Sequence, residues 1–186
     1  MFRRKARRGV PPTGRLLFLS CILLVLSYCA ATLPVEKPKV GQIIENVPFY
    51  PQEMYQCGPA SLAGILNFWG VTVSPEEIAV EIYSRSVRGT LNLDMTLYSE
   101  KRGLKANHYE GSFEDLKEKI DAGYPLIVMV DYGFWIYKKY HFMVLLGYYK
   151  NGVVVNSEKD QHKFIPLRVF LKSWKRTRYW SLLITP

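Results

Sequence analysis

Apolar positions along the first half of the chain recur at helical spacing. Leu62, Ala63, Ile65, Leu66 and Trp69 share one face behind Pro59, and Gly70 ends the run, so a helix is predicted from Cys57 to about residue 69. Pro59 fits only a first helical turn. Residues 47–50 lead into it as a short strand or extended segment. Ser74-Pro75-Glu76-Glu77 forms a capping box with proline at the first helical position and opens a second helix to about Tyr83. A third helix is predicted over residues 93–101 with Gly103 past its end, and a fourth over residues 112–122, capped by Ser112 and stopped by Gly123. The pattern then changes. Residues 126–130 are a continuous apolar run of strand length, and residues 141–149 and 153–156 flank the hairpin signal Lys150-Asn151-Gly152. A short helix over residues 166–174 and a strand over 179–185 close the chain. Helices first and antiparallel strands second predict an α+β domain, with N-terminal helices packed on a C-terminal antiparallel sheet.

The first thirty residues follow different rules. Arg3, Arg4, Lys5, Arg7, Arg8 and Arg15 precede an apolar stretch over residues 16–26, with no acidic residue among them. A basic segment followed by a short apolar one reads as a secretory signal, since a membrane span takes about 20 residues. Cys29, in Leu26-Ser27-Tyr28-Cys29-Ala30, is placed as in a bacterial lipoprotein cleavage site, although Tyr28 stands where a small residue is usual. Cleavage after Ala30 or Ala31, or retention as an uncleaved anchor, are the alternatives. The expected organisation is a signal over residues 1–31, an extended tether over 32–44 and one domain over 45–186. The expected location is outside the bacterial cytoplasm, periplasmic or held at the membrane as a lipoprotein. The chain of 186 residues carries a net charge of +9, but six positives lie in that leading segment. The remainder carries nineteen basic and sixteen acidic residues, a net of +3, which removes the main support for a nucleic-acid partner.

Outside the expected signal over residues 1–31 Cys57 is the only cysteine, so within the remaining chain neither an intrachain disulfide nor a cysteine-based metal pair can be built around it. At a helix N-terminus, free N–H groups and the positive end of the dipole favour a thiolate. A thiolate nucleophile wants a base, a group to orient that base, and donors for the oxyanion. Three histidines are available. His141 heads the apolar strand that begins His-Phe-Met-Val-Leu-Leu-Gly and can face a cleft. His108 reads as structural or surface, and His162, in Glu-Lys-Asp-Gln-His-Lys, as part of a solvated turn.

Val47-Pro48-Phe49 leading to Gln52, then Gln56-Cys57-Gly58-Pro59-Ala60 and later His141-Phe142-Met143-Val144-Leu145-Leu146-Gly147-Tyr148 resemble the papain-like cysteine peptidases that process bacteriocin leaders at double-glycine sites, especially their free-standing, exported relatives. The resemblance implies a papain-like fold, no cofactor and no metal, and a peptide or protein substrate. It implies Cys57 as nucleophile, His141 as general base and acid, and Gln52 as side-chain oxyanion donor beside the Cys57 N–H. Gln52 lies one residue nearer the cysteine than in papain, with Gln56 as fallback.

The family's third residue, an Asp or Asn at the end of the next strand, falls by spacing on Ser157. Neighbouring Asn156 has the better chemistry, because its amide oxygen can accept from the imidazole, and it is the residue chosen here. The hairpin register decides the point: other registers bring His162 or Glu158 opposite His141, and Asp160 is a further candidate. Phe134-Trp135-Ile136-Tyr137-Lys138-Lys139-Tyr140 precedes His141. This run is either a packed loop over the sheet or one wall of a substrate groove, with Trp135, Tyr137 and Tyr140 binding apolar side chains. The leading functional reading is an exported thiol hydrolase that forms an acyl-enzyme on Cys57. The alternative is a weakly active or inactive peptide-binding module on the same fold.

Overall fold

The computed structural model describes residues 41–51, 56–86 and 88–186. In chain order the elements are β1 (Gly41–Ile43), α1 (Cys57–Phe68), α2 (Pro75–Ile82), β2 (Tyr83–Ser84), β3 (Gly89–Thr90), α3 (Asn92–Lys101), β4 (Lys105–Glu110), α4 (Phe113–Asp121), β5 (Leu126–Asp131), β6 (Tyr140–Tyr149), β7 (Gly152–Ser157), β8 (Asp160–Pro166), α5 (Leu167–Lys175) and β9 (Trp180–Thr185). The expected α+β architecture is present. A seven-stranded sheet runs β4-β9-β5-β6-β7-β8, with β1 added beside β6, and its pairings are antiparallel.

The predicted helix signals act as their chemistry requires. Ser74 Oγ accepts from the Glu77 N–H at 3.2 Å, while the Glu77 carboxylate accepts from the Ser74 N–H at 2.7 Å. Ser112 Oγ accepts from the Asp115 N–H at 3.0 Å. Helix α1 is more deeply set than a one-faced pattern implies, because every residue from Gly58 to Leu66 is buried. A helix buried all round belongs to the core, and α1 lies against β6. Gly64 permits this approach: a Cβ there would stand 2.9 Å from the Pro48 carbonyl oxygen.

Strand β6 is the spine of the sheet. On one edge β5 pairs from Asp131↔Tyr140 to Leu126↔Leu145, and β1 continues from Ile43↔Gly147 to Gly41↔Tyr149. On the other edge β7 pairs through a two-residue turn, Tyr149↔Gly152, and its register shifts between Leu145 and Gly147. That bulge sets which β7 residue comes near His141.

Two expectations need correction. Residues 41–43, assigned to the tether, form β1 and belong to the sheet. Of the two alternatives for residues 47–50, the strand is not formed. His162 is not in a solvated turn but in the edge strand β8, with its Nε2 buried. A strand bearing Lys163 and ending at Pro166 carries little apolar alternation, which is how exposed sheet edges are commonly protected.

Candidate active site

Cys57 is the first residue of α1, and Gln56 accepts the first helical bond, from the Ala60 N–H at 3.0 Å. The thiol is half-buried and free. Burial pushes its pKa above the ordinary value, opposed by the backbone N–H groups of Phe142, Gly58 and Cys57 itself. The helix start thus supplies the expected donors, but desolvation outweighs them. The resting thiol is held in its neutral form, contrary to the expectation of a ready thiolate. Gly58 has room for no side chain: a Cβ would lie 2.7 Å from the Thr90 side chain on β3.

The Phe142 N–H contact is the link between the two halves of the site, because Phe142 follows His141 on β6. His141 is buried, and its Nε2 lies 2.9 Å from Ser157 Oγ. With Nε2 held by the hydroxyl, Nδ1 is the nitrogen left for proton exchange. The Tyr132 ring stacks on the imidazole at 5.8 Å and 26°, fixing its plane from a second direction. Burial pushes the His141 pKa down to about 4, against the pull of the Glu158 carboxylate and with lesser lowering by Lys163 and Lys139. Glu158 is itself held below the ordinary carboxylate range, chiefly by Lys163, whose ammonium lies 3.0 Å from its carboxylate and 3.0 Å from that of Asp160.

A cysteine at a buried helix start, a histidine one residue from the strand position whose N–H reaches it, and a hydroxyl on the imidazole Nε2 supply the residue types of a nucleophile, a base and an orienting group. The family model described as "Peptidase_C39 like family" matches residues 44–182. The chain belongs to this family. By family it is a cysteine-type peptidase of papain-like fold. Solved C39 peptidase structures share the fold. A C39-like peptidase from Bacillus anthracis superposes with a TM-score of 0.67 at 21% identity, covering 80% of this chain and 98% of that one. A double glycine motif protease from an AMS/PCAT transporter, in complex with the leader peptide, gives 0.61 at 24% identity, over 80% and 99%. The peptidase domain of Streptococcus ComA, a bi-functional ABC transporter of a quorum-sensing pathway, gives 0.63 at 21% identity, over 76% and 99%. No curated protein matches the sequence.

Within this C39-like site the orienting residue differs from the one chosen from chemistry. Asn156 pairs with Val144 across the hairpin, and side chains alternate along a strand. Asn156 therefore shares the face of Val144, opposite to that of His141. Its Oδ1 accepts from the His162 N–H at 3.0 Å, and its Nδ2 is buried without a hydrogen-bond partner. Ser157, one residue on, takes the imidazole face. Asp160 is occupied with Lys163. Gln56 lines a cavity of about 360 Å³ with Glu76, Ala79, Val80 and Tyr83. Gln52 and Cys29 lie outside the described residues.

The chain before His141 is not a packed loop. Trp135, Tyr137 and Tyr140 are exposed, as are Phe134 and Ile136. Its base is closed by Asp131, which the sequence reading passed over as the end of an apolar run. Asp131 Oδ1 accepts from the N–H groups of Gly133 and Lys139 at 2.8 and 2.9 Å, and Oδ2 pairs with Lys138 and Arg176 at 3.3 and 3.2 Å. Burial opposes this carboxylate's charge, but those donors outweigh it and hold its pKa below the usual range. Tyr132 was likewise missed as a neighbour of His141, whereas Glu158, named as a register candidate, acts on the imidazole as a charge and is not its hydrogen-bond partner.

Proposed function

We propose that this C39-like protein is an exported thiol hydrolase that cleaves a peptide bond through an acyl-enzyme on Cys57, with His141 as general base and Ser157 as its positioning residue. The observation that carries this reading is the 2.9 Å contact between His141 Nε2 and Ser157 Oγ. With Nε2 engaged there, Nδ1 is the ring nitrogen that would take the Cys57 proton.

In the first half-reaction the Cys57 proton passes to His141 Nδ1 as the sulfur attacks the carbonyl carbon. The Nε2 proton stays donated to Ser157 Oγ. The resulting thiolate sits beside three backbone N–H groups and the imidazolium faces Glu158, so both new charges are compensated although each group alone favours neutrality. The oxyanion of the tetrahedral intermediate accepts from the Cys57 N–H and, as the family resemblance implies, from Gln52. The intermediate collapses as the amine leaves with the proton from His141, giving a thioester. Water then attacks, His141 takes its proton, and the thiol is regenerated with release of the acid.

The substrate class is a peptide or protein, supported by the leader peptide bound to the AMS/PCAT neighbour. Tyr140, at the head of β6 beside His141 and exposed, suits one wall of its groove. Export is supported by the basic segment and apolar run before residue 27, with lipidation of Cys29 as one route to attachment. One observation favours a second reading, a weakly active peptide-binding module: a hydroxyl stabilises an imidazolium less than a carboxylate does. Peptide turnover by the purified protein, with Cys57→Ala as control, separates the two. Binding without turnover supports the module.

A further inference from the structure

The segment between β5 and His141 ends in a turn, closed by the Tyr137 N–H donating to the Phe134 carbonyl at 3.0 Å, with Trp135 in the left-handed region at φ 53°. Its four residues Phe134, Trp135, Ile136 and Tyr137 are 67 to 83% exposed. A bulky residue at positive φ is unfavourable in itself, and four consecutive large apolar side chains in water add to the cost. The turn is nonetheless firmly held at its base by Asp131 and by Arg176, which donates to the Gly133 carbonyl.

The surroundings of this apolar tip are basic. Residues 132–140 contain Lys138 and Lys139 and no acid. Arg176 brings the end of α5 against the loop, and residues 167–178 also contain no acid. Lys139, Lys175 and Arg178 are exposed there. Among the described residues Asp131 is the one carboxylate hydrogen-bonded or ion-paired to the loop, and it is buried and already paired; Glu158 acts on Lys139 and Tyr132 at longer range and is itself paired with Lys163.

We propose that this loop is a membrane-contact element that inserts Phe134, Trp135, Ile136 and Tyr137 into the interface of an anionic bilayer while Lys138, Lys139, Lys175 and Arg178 meet its headgroups. Aromatic residues with flanking cations are the combination that partitions to that interface. A peptide in a groove would bury alternate residues on one side of the loop, whereas consecutive side chains spread around a turn are all covered only by a fluid surface. Among the described residues no helix is long and apolar enough to cross a membrane, so the contact is interfacial. It would hold the mouth of the Cys57 site close to the bilayer, and it stands whether or not the peptidase reading does.

The test uses the full chain with vesicles of mixed phosphatidylcholine and phosphatidylglycerol whose acyl chains are brominated near the headgroup. Trp174 and Trp180 are buried, Trp69 is half-buried with its N–H donating to the Ile184 carbonyl, and Trp135 is exposed, so the part of the bromine quenching lost in Trp135→Phe reports Trp135 and should be most of it. Phe134→Ser with Ile136→Ser should cut the quenching by about threefold or more, with near-UV circular dichroism unchanged. Lys175→Glu with Arg178→Glu should weaken it independently, as should replacing the anionic lipid. An unquenched wild type, or quenching in both double variants equal to that of the wild type, would overturn the proposal. So would a Trp135 emission shift that a double-glycine leader peptide produces and vesicles do not, which would assign the loop to substrate.

Discussion

Ser157 Oγ lies 2.9 Å from His141 Nε2, so the imidazole proposed as the base is held by an alcohol rather than by a carboxylate or an amide. A hydroxyl holds the ring in place, but as both donor and acceptor it does not fix the tautomer as a carboxylate does, and it carries no charge to offset an imidazolium. Glu158, the next residue, supplies that charge at longer range, and Lys163 partly neutralises it.

Ser157→Ala should therefore lower kcat about tenfold to a hundredfold, by freeing the imidazole, with less effect on KM. Ser157→Asp should restore turnover and raise the pH at which His141 titrates. Steady-state kinetics across pH check both, and an alanine variant of full activity would remove Ser157 from the site.

Asn156 should behave differently. Its side chain serves the β7–β8 edge by accepting from the His162 N–H, so Asn156→Ala should cost about 1 to 2 kcal/mol of stability and leave kcat within about twofold. Urea unfolding and turnover measured on the same preparation separate these effects.

The resting thiol should be unreactive for a cysteine peptidase. Burial holds Cys57 above its ordinary pKa and His141 near 4, so iodoacetamide labelling of the free protein should be slow at pH 6 to 7 and rise in the alkaline range. A fast, flat labelling rate from pH 5 upward would show a preformed ion pair instead.

His141 also ties stability to pH. Its folded-state pKa of about 4 lies below the unfolded value of 6.5, so the unfolded chain binds the extra proton between them. Stability is fully present above pH 6.5 and falls as pH drops toward 4, by up to about 3 kcal/mol. Thermal melts over that range should show the loss, and His141→Asn should flatten the profile.

Much of this was legible in the sequence, and the failures are local. The capping box at Ser74, the Ser112 cap, the glycine stops and the Cys57 helix rest on chemistry within a few residues, and they appear where the pattern put them. The Cys and His motifs name the two reacting groups for the same reason. The orienting residue was not readable because it depends on strand parity across a hairpin with a bulge near Leu146. One residue of slip exchanges Asn156 for Ser157 on the face of His141. Strand β8 escaped notice because its polar sequence is that of a protected edge. Desolvation of Cys57 was invisible because burial is set by tertiary packing, here of α1 against strands such as β6, more than eighty residues away in the chain.

The most direct test of the central claim is mass spectrometry of the protein quenched in acid during turnover of a peptide substrate. The account predicts an adduct with the mass of the acyl fragment, joined as a thioester to Cys57, absent in Cys57→Ala and strongly reduced in His141→Ala. Peptide cleavage that persists in Cys57→Ala, with no adduct on the wild type, would contradict it.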